Sequence, residues 1–428
     1  MSMSYQLIDG GVTAPKGFQA AGVYVGIKGH GSVPDADQEG QAAEVKKPKN
    51  DMAMIFSTTP CRVAGTFTTN VVKAGPVKWD STLVKEGKQV SAVVVNTGVA
   101  NACTGEEGYG YCRDMASETA KLLGLETENV FVASTGVIGR QLPMDKIKKG
   151  IGMLAPVLKA DRASAHEAAL GIMTTDTKPK EVAVTCEIGG ATVTVAGMCK
   201  GSGMIHPNMA TMLCFITTDA AISAEMLQKA LSNDVPDTFN MISVDGDTST
   251  NDSVLLMANG QAGNPEITAE GEAYDTFCEA LHVIMVTLSR KIAGDGEGCT
   301  CLFEVTVNGA DTKANARTLA KSVVMSNLTK AAIFGHDANW GRILCALGYS
   351  GVQFDPEKVD LTFKSKAGEV KIVENGVDTG YSEELATAIL SEEEVFCICD
   401  MKMGDQSATA YGCDLTYEYV KINGDYRS

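Results

Sequence analysis

One threonine of this 428-residue chain stands where an irregular loop becomes an apolar strand. Residues 200–220 read KGSGMIHPNMATMLCFITTDA, so glycines and a proline precede a hydrophobic run that begins at Met212. Such a threonine hydroxyl can attack the preceding carbonyl carbon if the backbone is strained and the oxygen is aimed correctly. Hydrolysis of the resulting ester would cut the chain between Ala210 and Thr211.

Cleavage at this point would turn Thr211 into an N-terminal nucleophile. A free α-amino group titrates near about pH 7.7–8.0, and it can remove the proton from the threonine's own hydroxyl. One cut would therefore supply both the nucleophile and the base of an acyl-transfer reaction. The histidines, including His206 near the junction, are then interpreted as structural. The local pattern also fits an ordinary strand threonine, so the rest of the chain must distinguish the two interpretations.

The composition argues against several classes of protein. The formal charge is −17, from 53 acidic and 36 basic residues, whereas a nucleic-acid partner requires a basic face. The opening residues, MSMSYQLIDG, lack the basic and apolar regions of a secretory signal. The sequence also lacks the run of about 18 apolar residues that a membrane-spanning helix needs. We therefore expect a globular, cytoplasmic protein without nucleic-acid or membrane partners.

Thirteen cysteines are spread along the chain. Their odd number and the lack of a secretory segment favour reduced cytosolic thiols over a disulfide framework. Two pairs, Cys299/Cys301 and Cys397/Cys399, are separated by one residue instead of the two residues of a zinc knuckle. We interpret each pair as pointing to alternate faces of a strand, and no metal site is predicted.

Two glycine-containing or acidic motifs also fail as cofactor sites. Residues 245–256 alternate polar groups as a calcium loop does, but the required glycine at the sixth position is Thr250 and the twelfth position is Leu256. The glycines of residues 294–298 follow an apolar helix instead of a strand, so they do not form a dinucleotide-binding turn. Neither segment predicts a cofactor.

Short β-branched runs predict buried strands, and helical spacing of apolar residues predicts helices that cover them. The strands are expected at 91–96, 130–134, 182–186 and 212–218, and the helices at 109–123 and 270–292. A Gly-Gly pair predicts a hairpin at 187–195, while 28–48 and 259–272 look like loops. Strands and helices alternate without a strict βαβ rhythm, which predicts a layered, mixed α/β fold with a smaller C-terminal unit from near 300–320.

Eight blocks, spread in order over nearly the whole chain, match one known family. The blocks are GFQAAGVYVGIK at 17–28, NTGVANACTG at 96–105, STGVIG at 134–139, TTDTKPK at 174–180, DGDTSTND at 245–252, DGEG at 295–298, FGHDANWGRI at 334–343 and YVKINGDYRS at 419–428. With these blocks the chain resembles the bifunctional ornithine acetyltransferase/N-acetylglutamate synthase (ArgJ) family of arginine biosynthesis. Members of that family cleave themselves before the threonine of an Ala-Thr-Met-Leu segment, which here is Ala210–Leu213.

The resemblance implies a fold and a division of the chain. The fold is a layered αββα sandwich of the DmpA/ArgJ type, in the mixed α/β (α+β) class, with a smaller C-terminal α/β domain. Self-cleavage would give an α chain of residues 1–210 and a β chain of residues 211–428. Residues 211–310 would complete the main domain, and residues 311–428 would form the smaller domain, whose tail returns to the active site. The fragments are expected to assemble as an α2β2 heterotetramer.

The activity that the resemblance implies is that of a glutamate N-acetyltransferase. Acetyl would pass from N2-acetyl-L-ornithine to Thr211 and then to L-glutamate, in two steps with ping-pong kinetics. No cofactor is expected, and acetyl-CoA is an additional co-substrate in some members. Two alternatives stay open: a self-processing aminopeptidase or amidohydrolase, in which water takes the acyl group, and a paralogue whose processing site is vestigial.

The resemblance also implies the site residues. Thr211 is the nucleophile, and Thr135 with Gly136 forms the oxyanion hole. Substrate contacts fall on Thr174, Lys200, Thr211, Glu297, Asn423 and Ser428. The charges suit the substrates, because Lys200 can hold an α-carboxylate and Glu297 attracts the δ-ammonium of ornithine.

The same positions have ordinary structural interpretations. Thr135 and Gly136 also fit a turn that ends the strand 130–134. Glu297 fits an exposed turn, and Asn423 with Ser428 fits a frayed tail.

Four positions depart from the family pattern. Cys199 stands where alanine is common, Met241 where arginine is common, Cys301 where lysine is common, and Ser428 where threonine is usual. Loss of two positive charges, at Met241 and Cys301, is expected to alter the pairing of nearby carboxylates and the preference between substrates. Ser428 keeps a hydroxyl, so it is not expected to inactivate the enzyme.

Overall fold

The computed structural model describes residues 5–28, 49–206 and 212–425. Ala210, Thr211 and Ser428 lie outside these ranges, as does most of the predicted loop 28–48. The described residues form two β-sheets and the helices that cover them, so the predicted mixed α/β class is confirmed.

The predicted strands and helices are present. The strands are β1 (Tyr5–Ile8), β2 (Phe18–Val23), β3 (Met52–Phe67), β4 (Val90–Val99), β5 (Val130–Val137), β6 (Lys180–Ile188), β7 (Ala191–Lys200), β8 (Leu213–Thr218), β9 (Ile242–Ser243), β10 (Ser253–Ala258), β11 (Leu302–Ala310), β12 (Asp360–Ser365), β13 (Gly368–Glu374), β14 (Val377–Asp378), β15 (Glu394–Asp400) and β16 (Gln406–Cys413). The helices are α1 (Gly75–Lys85), α2 (Gly105–Leu123), α3 (Met144–Leu154), α4 (Arg162–Ile172), α5 (Ala224–Asp234), α6 (Glu272–Ala293), α7 (Lys313–Met325), α8 (Asn327–Phe334), α9 (Trp340–Gly348), α10 (Glu383–Leu390) and α11 (Tyr417–Asp425). The expected strands fall in β4, β5, β6 and β8, and the expected helices fall in α2 and α6.

The first sheet has the order β1-β6-β7-β8-β10-β3-β4-β5, and β2 pairs with β3 beside this path. Its long strand β3 serves two halves of the sheet, because residues 52–57 pair with β2 and residues 62–67 pair with β10. A register shift between Phe56 and Cys61 separates the halves. One hydrophobic core contains residues from both, such as Phe131 on β5 and Phe215 on β8. The two halves are therefore packed layers of one continuous sheet.

The hairpin predicted at 187–195 joins β6 and β7. Gly189 and Gly190 occupy its turn with φ of +58° and +80°, and Ile188 pairs with Ala191 across it. A two-residue hairpin turn with positive φ at both central positions favours glycine, because a Cβ atom is strained there. The predicted hairpin is therefore confirmed, and the two glycines allow its tight turn.

The second sheet has the order β14-β13-β12-β15-β11-β16-β9. β11 lies between its parallel neighbour β15 and its antiparallel neighbour β16. β9 pairs with β16, so a segment that precedes α6 in the chain joins this sheet. The boundary near residue 311 stays a prediction, and it falls directly after β11.

The interpretation of Cys397 and Cys399 as pointing to alternate faces is wrong. Both side chains are buried in β15, and their Sγ atoms are 3.8 Å apart. Residues separated by one position share a face of a strand, because successive side chains alternate.

Helix α6 connects the two sheets. Phe277, Leu281, Ile284 and Leu288 are fully buried and follow the spacing of one helix face. This face packs on β6 and β7, within a core that continues into the second sheet. No helix in the described ranges is both long and apolar enough to span a membrane.

Candidate active site

A cavity lies where the carboxyl ends of β5 and β7 meet the amino ends of β8 and β10. Every predicted site residue that falls within the described ranges lines it. These are Thr135, Gly136, Thr174, Lys200, Glu297 and Asn423. The structure thus brings together residues from distant parts of the sequence at one place.

Thr135 and Gly136 belong to β5 itself. They pair with Thr97 and Gly98 of β4, and the strand continues to Val137. The interpretation of these residues as a turn that ends the strand at residue 134 is therefore wrong. Gly136 has a φ of +132°, and a Cβ atom there would lie 2.3 Å from the carbonyl carbon of Gly98. Only glycine allows this close approach, which shapes the cavity wall around Thr135.

Asn251 fixes the position of this wall and was not singled out as a site residue. Its Nδ2 donates to the carbonyl oxygens of Ser134 at 2.8 Å and Ala100 at 2.5 Å. Thr250 Oγ1 donates to Asn251 Oδ1 at 2.6 Å, so the amide orientation is determined from both sides. Both residues lie in the DGDTSTND block, which was considered only as a calcium loop and as part of the resemblance.

Lys200 ends β7 and is 8% exposed, with that exposure in the cavity. Within the described part of the chain, its ammonium has no hydrogen-bond acceptor and no ion-pair partner. A buried cation needs compensating negative charge nearby. The cavity wall therefore presents a cation that suits a carboxylate ligand.

Three buried charged residues lie beneath the cavity; they belong to the TTDTKPK and DGEG blocks but are not among the predicted site residues. Lys180 Nζ is 2.6 Å from Asp176 Oδ1 and 2.5 Å from Asp295 Oδ2. Burial favours a higher pKa for Asp176, but attraction to Lys180 and Lys200 holds its pKa well below the usual range. Burial opposes the charge on Lys180, yet the two carboxylates raise its pKa. Asp176 and Lys180 are therefore both charged at neutral pH.

This buried group ties three cavity-lining segments together. Asp176 accepts N–H bonds from Thr174 at 3.0 Å and from Gly201 at 2.8 Å. The carbonyl oxygen of Asp295 accepts from Ser202 Oγ at 2.7 Å. The loops that carry Thr174, Lys200 and Glu297 consequently share one anchor.

Glu297 is 8% exposed, so the interpretation as an exposed turn is wrong. Its N–H donates to the carbonyl oxygen of Ser202 at 3.0 Å. A Cβ atom on Gly203 would lie 2.3 Å from Glu297 Oε1, so glycine leaves the room that this carboxylate occupies. Asn423 Nδ2 donates to Glu297 Oε2 at 2.8 Å. Helix α11 thus holds Asn423 against the cavity instead of leaving it in a frayed tail.

Asp245 holds the backbone that leads to the predicted cleavage point. Its carboxylate accepts N–H bonds from Met204 at 2.7 Å and from Ile205 at 2.8 Å. His206 Nδ1 lies 3.2 Å from Ser243 Oγ, and burial, with nearby Lys321, lowers the pKa of His206 to about 4. A neutral, hydrogen-bonded imidazole fits the structural interpretation of this histidine.

Three of the four departures from the family pattern, Cys199, Met241 and Cys301, are not among the residues that line the cavity. Met241 and Cys301 are buried in the core that joins the sheets, and Cys199 is buried on β7. The expectation that the lost charges at 241 and 301 alter the pairing of nearby carboxylates and the preference between substrates stays a prediction. Ser428 lies outside the described residues.

Ala210 and Thr211 also lie outside the described residues. Met212 and Leu213, which follow Thr211 directly in the sequence, both line the cavity. Lys200 and Leu213 are paired across β7 and β8. The two ends of the segment that contains the predicted cleavage point are thus neighbours at the site.

Comparisons with known proteins agree on one family. The ArgJ family model matches residues 37–428. The arginine biosynthesis bifunctional protein ArgJ of Caldanaerobacter subterraneus subsp. tengcongensis is 49% identical over 423 residues, covering 99% of this chain and 100% of that protein. The protein of the same name from Symbiobacterium thermophilum is 51% identical over 421 residues, covering 98% of this chain and 99% of that protein. The crystal structure of the Bacillus halodurans ArgJ protein is 46% identical, covers 50% of this chain and 98% of its own, and has a TM-score of 0.48. The chain belongs to the ArgJ family.

Proposed function

We propose that this chain is a glutamate N-acetyltransferase that cleaves itself at Ala210–Thr211 and carries acetyl on Thr211. As a member of the ArgJ family, it is an acyltransferase of arginine biosynthesis. The observation that carries the proposal is the cavity, because it gathers a candidate oxyanion hole, a cation and a carboxylate beside Met212. Met212 directly follows the proposed nucleophile in the sequence.

The first half-reaction acylates Thr211. Its Oγ attacks the acetyl carbonyl of N2-acetyl-L-ornithine, and its α-amino group accepts the hydroxyl proton. The Thr135 hydroxyl and the Gly136 N–H stabilise the oxyanion, and loss of one such donor costs about 2.7–4 kcal/mol in other enzymes. Collapse of the intermediate breaks the amide C–N bond. Ornithine leaves with the proton, and acetyl-Thr211 remains.

The second half-reaction passes the acetyl group to glutamate. The glutamate α-amine attacks the ester, and Thr211 Oγ leaves with a proton from that amine. Lys200 can serve both half-reactions, because ornithine and glutamate each carry an α-carboxylate. At the other end, Glu297 attracts the ornithine ammonium, and the Asn423 amide can donate to the glutamate γ-carboxylate.

The residues themselves supply this chemistry, so we propose that the transfer needs no cofactor. A thioester donor such as acetyl-CoA would form the same acetyl-Thr211 ester, which makes it the candidate for a second donor. Separate assays with N2-acetyl-L-ornithine and with acetyl-CoA identify the donors. An enzyme with the first activity alone would be a monofunctional transferase.

Replacing the nucleophile tests the proposal directly. Thr211→Ala should leave the chain whole and without turnover, because no hydroxyl is present for either cleavage or acylation. Thr211→Ser keeps a hydroxyl and is the matched control, expected to retain both reactions. Intact-mass spectrometry should find two fragments for the wild type, which together account for the 45.0 kDa chain.

A wild-type chain that stayed whole at 45.0 kDa and still transferred acetyl would contradict the N-terminal-nucleophile mechanism. The acceptor is identified by measuring products with and without glutamate. N-acetylglutamate that forms only when glutamate is added supports the transferase. Release of acetate at the same rate without glutamate would instead indicate an amidohydrolase.

We also propose that the two fragments stay together after cleavage and pair as an α2β2 assembly in the cytoplasm. β7 and β8, which flank the cleavage point, are hydrogen-bonded neighbours, so each fragment completes the other's sheet. The thirteen cysteines are free thiols, a state that the cytoplasm maintains. Light scattering of the cleaved protein gives the number of fragments per particle.

A further inference from the structure

Lys180 joins two carboxylates, Asp176 and Asp295, in the interior beneath the cavity. The two N–O distances are 2.6 and 2.5 Å, and Lys180 and Asp176 are each 1% exposed. Buried ion pairs are weak evidence for stability, because the loss of hydration offsets much of the attraction. These ion pairs lie close to Lys200, the proposed anchor for the substrate carboxylate, which points to a role in substrate binding.

Lys200 is the fourth charge of this region. Asp176 accepts the N–H of Gly201, the residue that follows Lys200, at 2.8 Å. The ammonium of Lys200 nevertheless has no ion-pair partner in the described ranges. Asp176 and Asp295 are both in contact with Lys180, so the Lys200 ammonium stays available.

We propose that Lys180 is a positioning residue that occupies Asp176 and so leaves the Lys200 ammonium free for the α-carboxylate of both substrates. The inference rests on the proposed function, because it takes Lys200 as the carboxylate anchor. Without the charge of Lys180, Asp176 would be a buried anion that lacks its cation. Lys200 would then be drawn into an internal ion pair that competes with substrate.

The electrostatics of Asp176 support this competition. Burial raises its pKa, and the attractions of Lys180 and, after it, Lys200 lower it to a net value well below the usual range. Lys200 therefore already acts on Asp176 through space without contacting it. Of the two lysines, the one in contact is Lys180, which makes it the residue to change.

Two double variants separate the charges. Lys180→Met with Asp295→Asn leaves Asp176 ionised, whereas Lys180→Met with Asp176→Asn leaves Asp295 ionised. Each removes one positive and one negative buried charge, so the net buried charge changes equally. We expect the first variant to raise KM for N2-acetyl-L-ornithine and for glutamate by about tenfold, with a much smaller change in kcat. The second should have KM values at least about fivefold lower than the first.

A donor without the α-carboxylate isolates Lys200. N-acetyl-1,4-diaminobutane keeps the acetamide and the distal ammonium but has no carboxylate, so its KM should be the same in the wild type and in the first double variant. Arg162→Met controls for destabilisation, because it removes a partner 2.8 Å from the buried carboxylate of Glu181, which does not line the cavity. That variant should unfold more easily and keep the wild-type KM.

The results distinguish two kinds of failure. Equal KM values in the two double variants, or an equal rise for the donor without a carboxylate, would overturn the positioning role while wild-type transfer stands. A wild type without any acetyl transfer would contradict the proposed function and this inference together. If Lys180→Met does not fold, Lys180→Gln in the same pairs keeps a hydrogen-bond donor without the charge, and the same KM ratios are expected.

Discussion

Gly136 combines a backbone requirement with the proposed chemistry. Its φ of +132° disfavours any side chain, and a Cβ atom would overlap the backbone of Gly98. The neighbouring Thr135 faces the same cavity. A single added carbon at this position would therefore displace β5 from β4 at the proposed oxyanion hole. Asn251 supports the same wall through the carbonyl of Ser134.

We predict that Gly136→Ala lowers kcat by about 10²–10³-fold, the effect of losing one oxyanion donor. Gly139→Ala is the matched control, because Gly139 also has a positive φ of +81° but has no atom within 4 Å of the added carbon. Steady-state kinetics and the cleaved fraction, measured by mass, should be determined for both variants. Equal losses in the two would show that conformation alone, and not the contact with Gly98, limits activity.

At the scale of elements, helix α1 is joined to β5, the strand that carries the candidate oxyanion hole. Trp79 Nε1 donates to the carbonyl oxygen of Val130 at 3.1 Å, and Asp80 Oδ1 accepts from the N–H of Val132 at 3.0 Å. Asp80 is buried, and its second oxygen has no hydrogen-bond partner among the described residues. Burial raises the pKa of Asp80 well above its usual range, although the bond from Val132 lowers it in part.

This raised pKa predicts a pH-dependent free energy of unfolding. A carboxyl whose folded pKa exceeds its unfolded value of about 3.9 contributes stability below that pH and loses it as the pH rises. Asp80→Asn removes the titration, so the variant should gain about 1 kcal/mol or more relative to wild type between about pH 5 and pH 8. Urea denaturation at the two pH values measures the difference. Asp114→Asn, at a half-exposed ion pair with Lys148, is the control, and its free energy of unfolding should change between the two pH values as that of the wild type does.

If the free energy of unfolding of Asp80→Asn changed with pH as that of the wild type does, the result would contradict a neutral Asp80 carboxyl in the folded protein. A large loss of stability at both pH values would show instead that the Asp80 carboxyl is ionised and compensated in the folded protein.

For the whole molecule, the end of the chain returns to the loop that holds Glu297. Thr416 Oγ1 donates to the carbonyl oxygen of Gly298 at 2.7 Å, and Asn423 Nδ2 reaches Glu297 at 2.8 Å. Helix α11 contributes no buried residue among those described. Helix α11 therefore contributes a cavity-lining contact and adds little to the hydrophobic core. The proposed fragments depend on each other in the same way, since Glu297 and Asn423 of one fragment line the cavity together with Lys200 of the other.

We predict that deletion of residues 417–428 leaves the fold intact and raises KM for N2-acetyl-L-ornithine by about tenfold, because Glu297 loses Asn423 and is exposed to water. Asn423→Ala alone should produce part of this effect. Lys421→Ala, on the exposed side of the same helix, serves as the control. Circular dichroism and steady-state kinetics measure the two properties. An unchanged KM after the deletion would exclude the tail from substrate binding.

Local elements and family membership were predictable from the order of the amino acids. Short β-branched runs and a Gly-Gly turn are short-range signals, so strands such as β4 and the β6–β7 hairpin were predictable. The ordered motif blocks led to the same family as the comparisons. They also named the six described site residues that the cavity gathers, although the roles of those residues stay predictions.

The way in which distant elements meet depends on the packing of the folded chain. Asn96 and Ser253 pair with opposite ends of β3, yet the ends of β4 and β5 and the start of β10 surround one cavity, because the two halves of the sheet pack face to face. Asp176, Lys180 and Asp295 lie within motif blocks but are not among the predicted site residues, because the Lys180–Asp295 contact joins side chains 115 residues apart in the sequence. Burial, likewise, placed Met241 in the core. Local spacing specifies elements, whereas packing specifies which charges become neighbours in a medium without water.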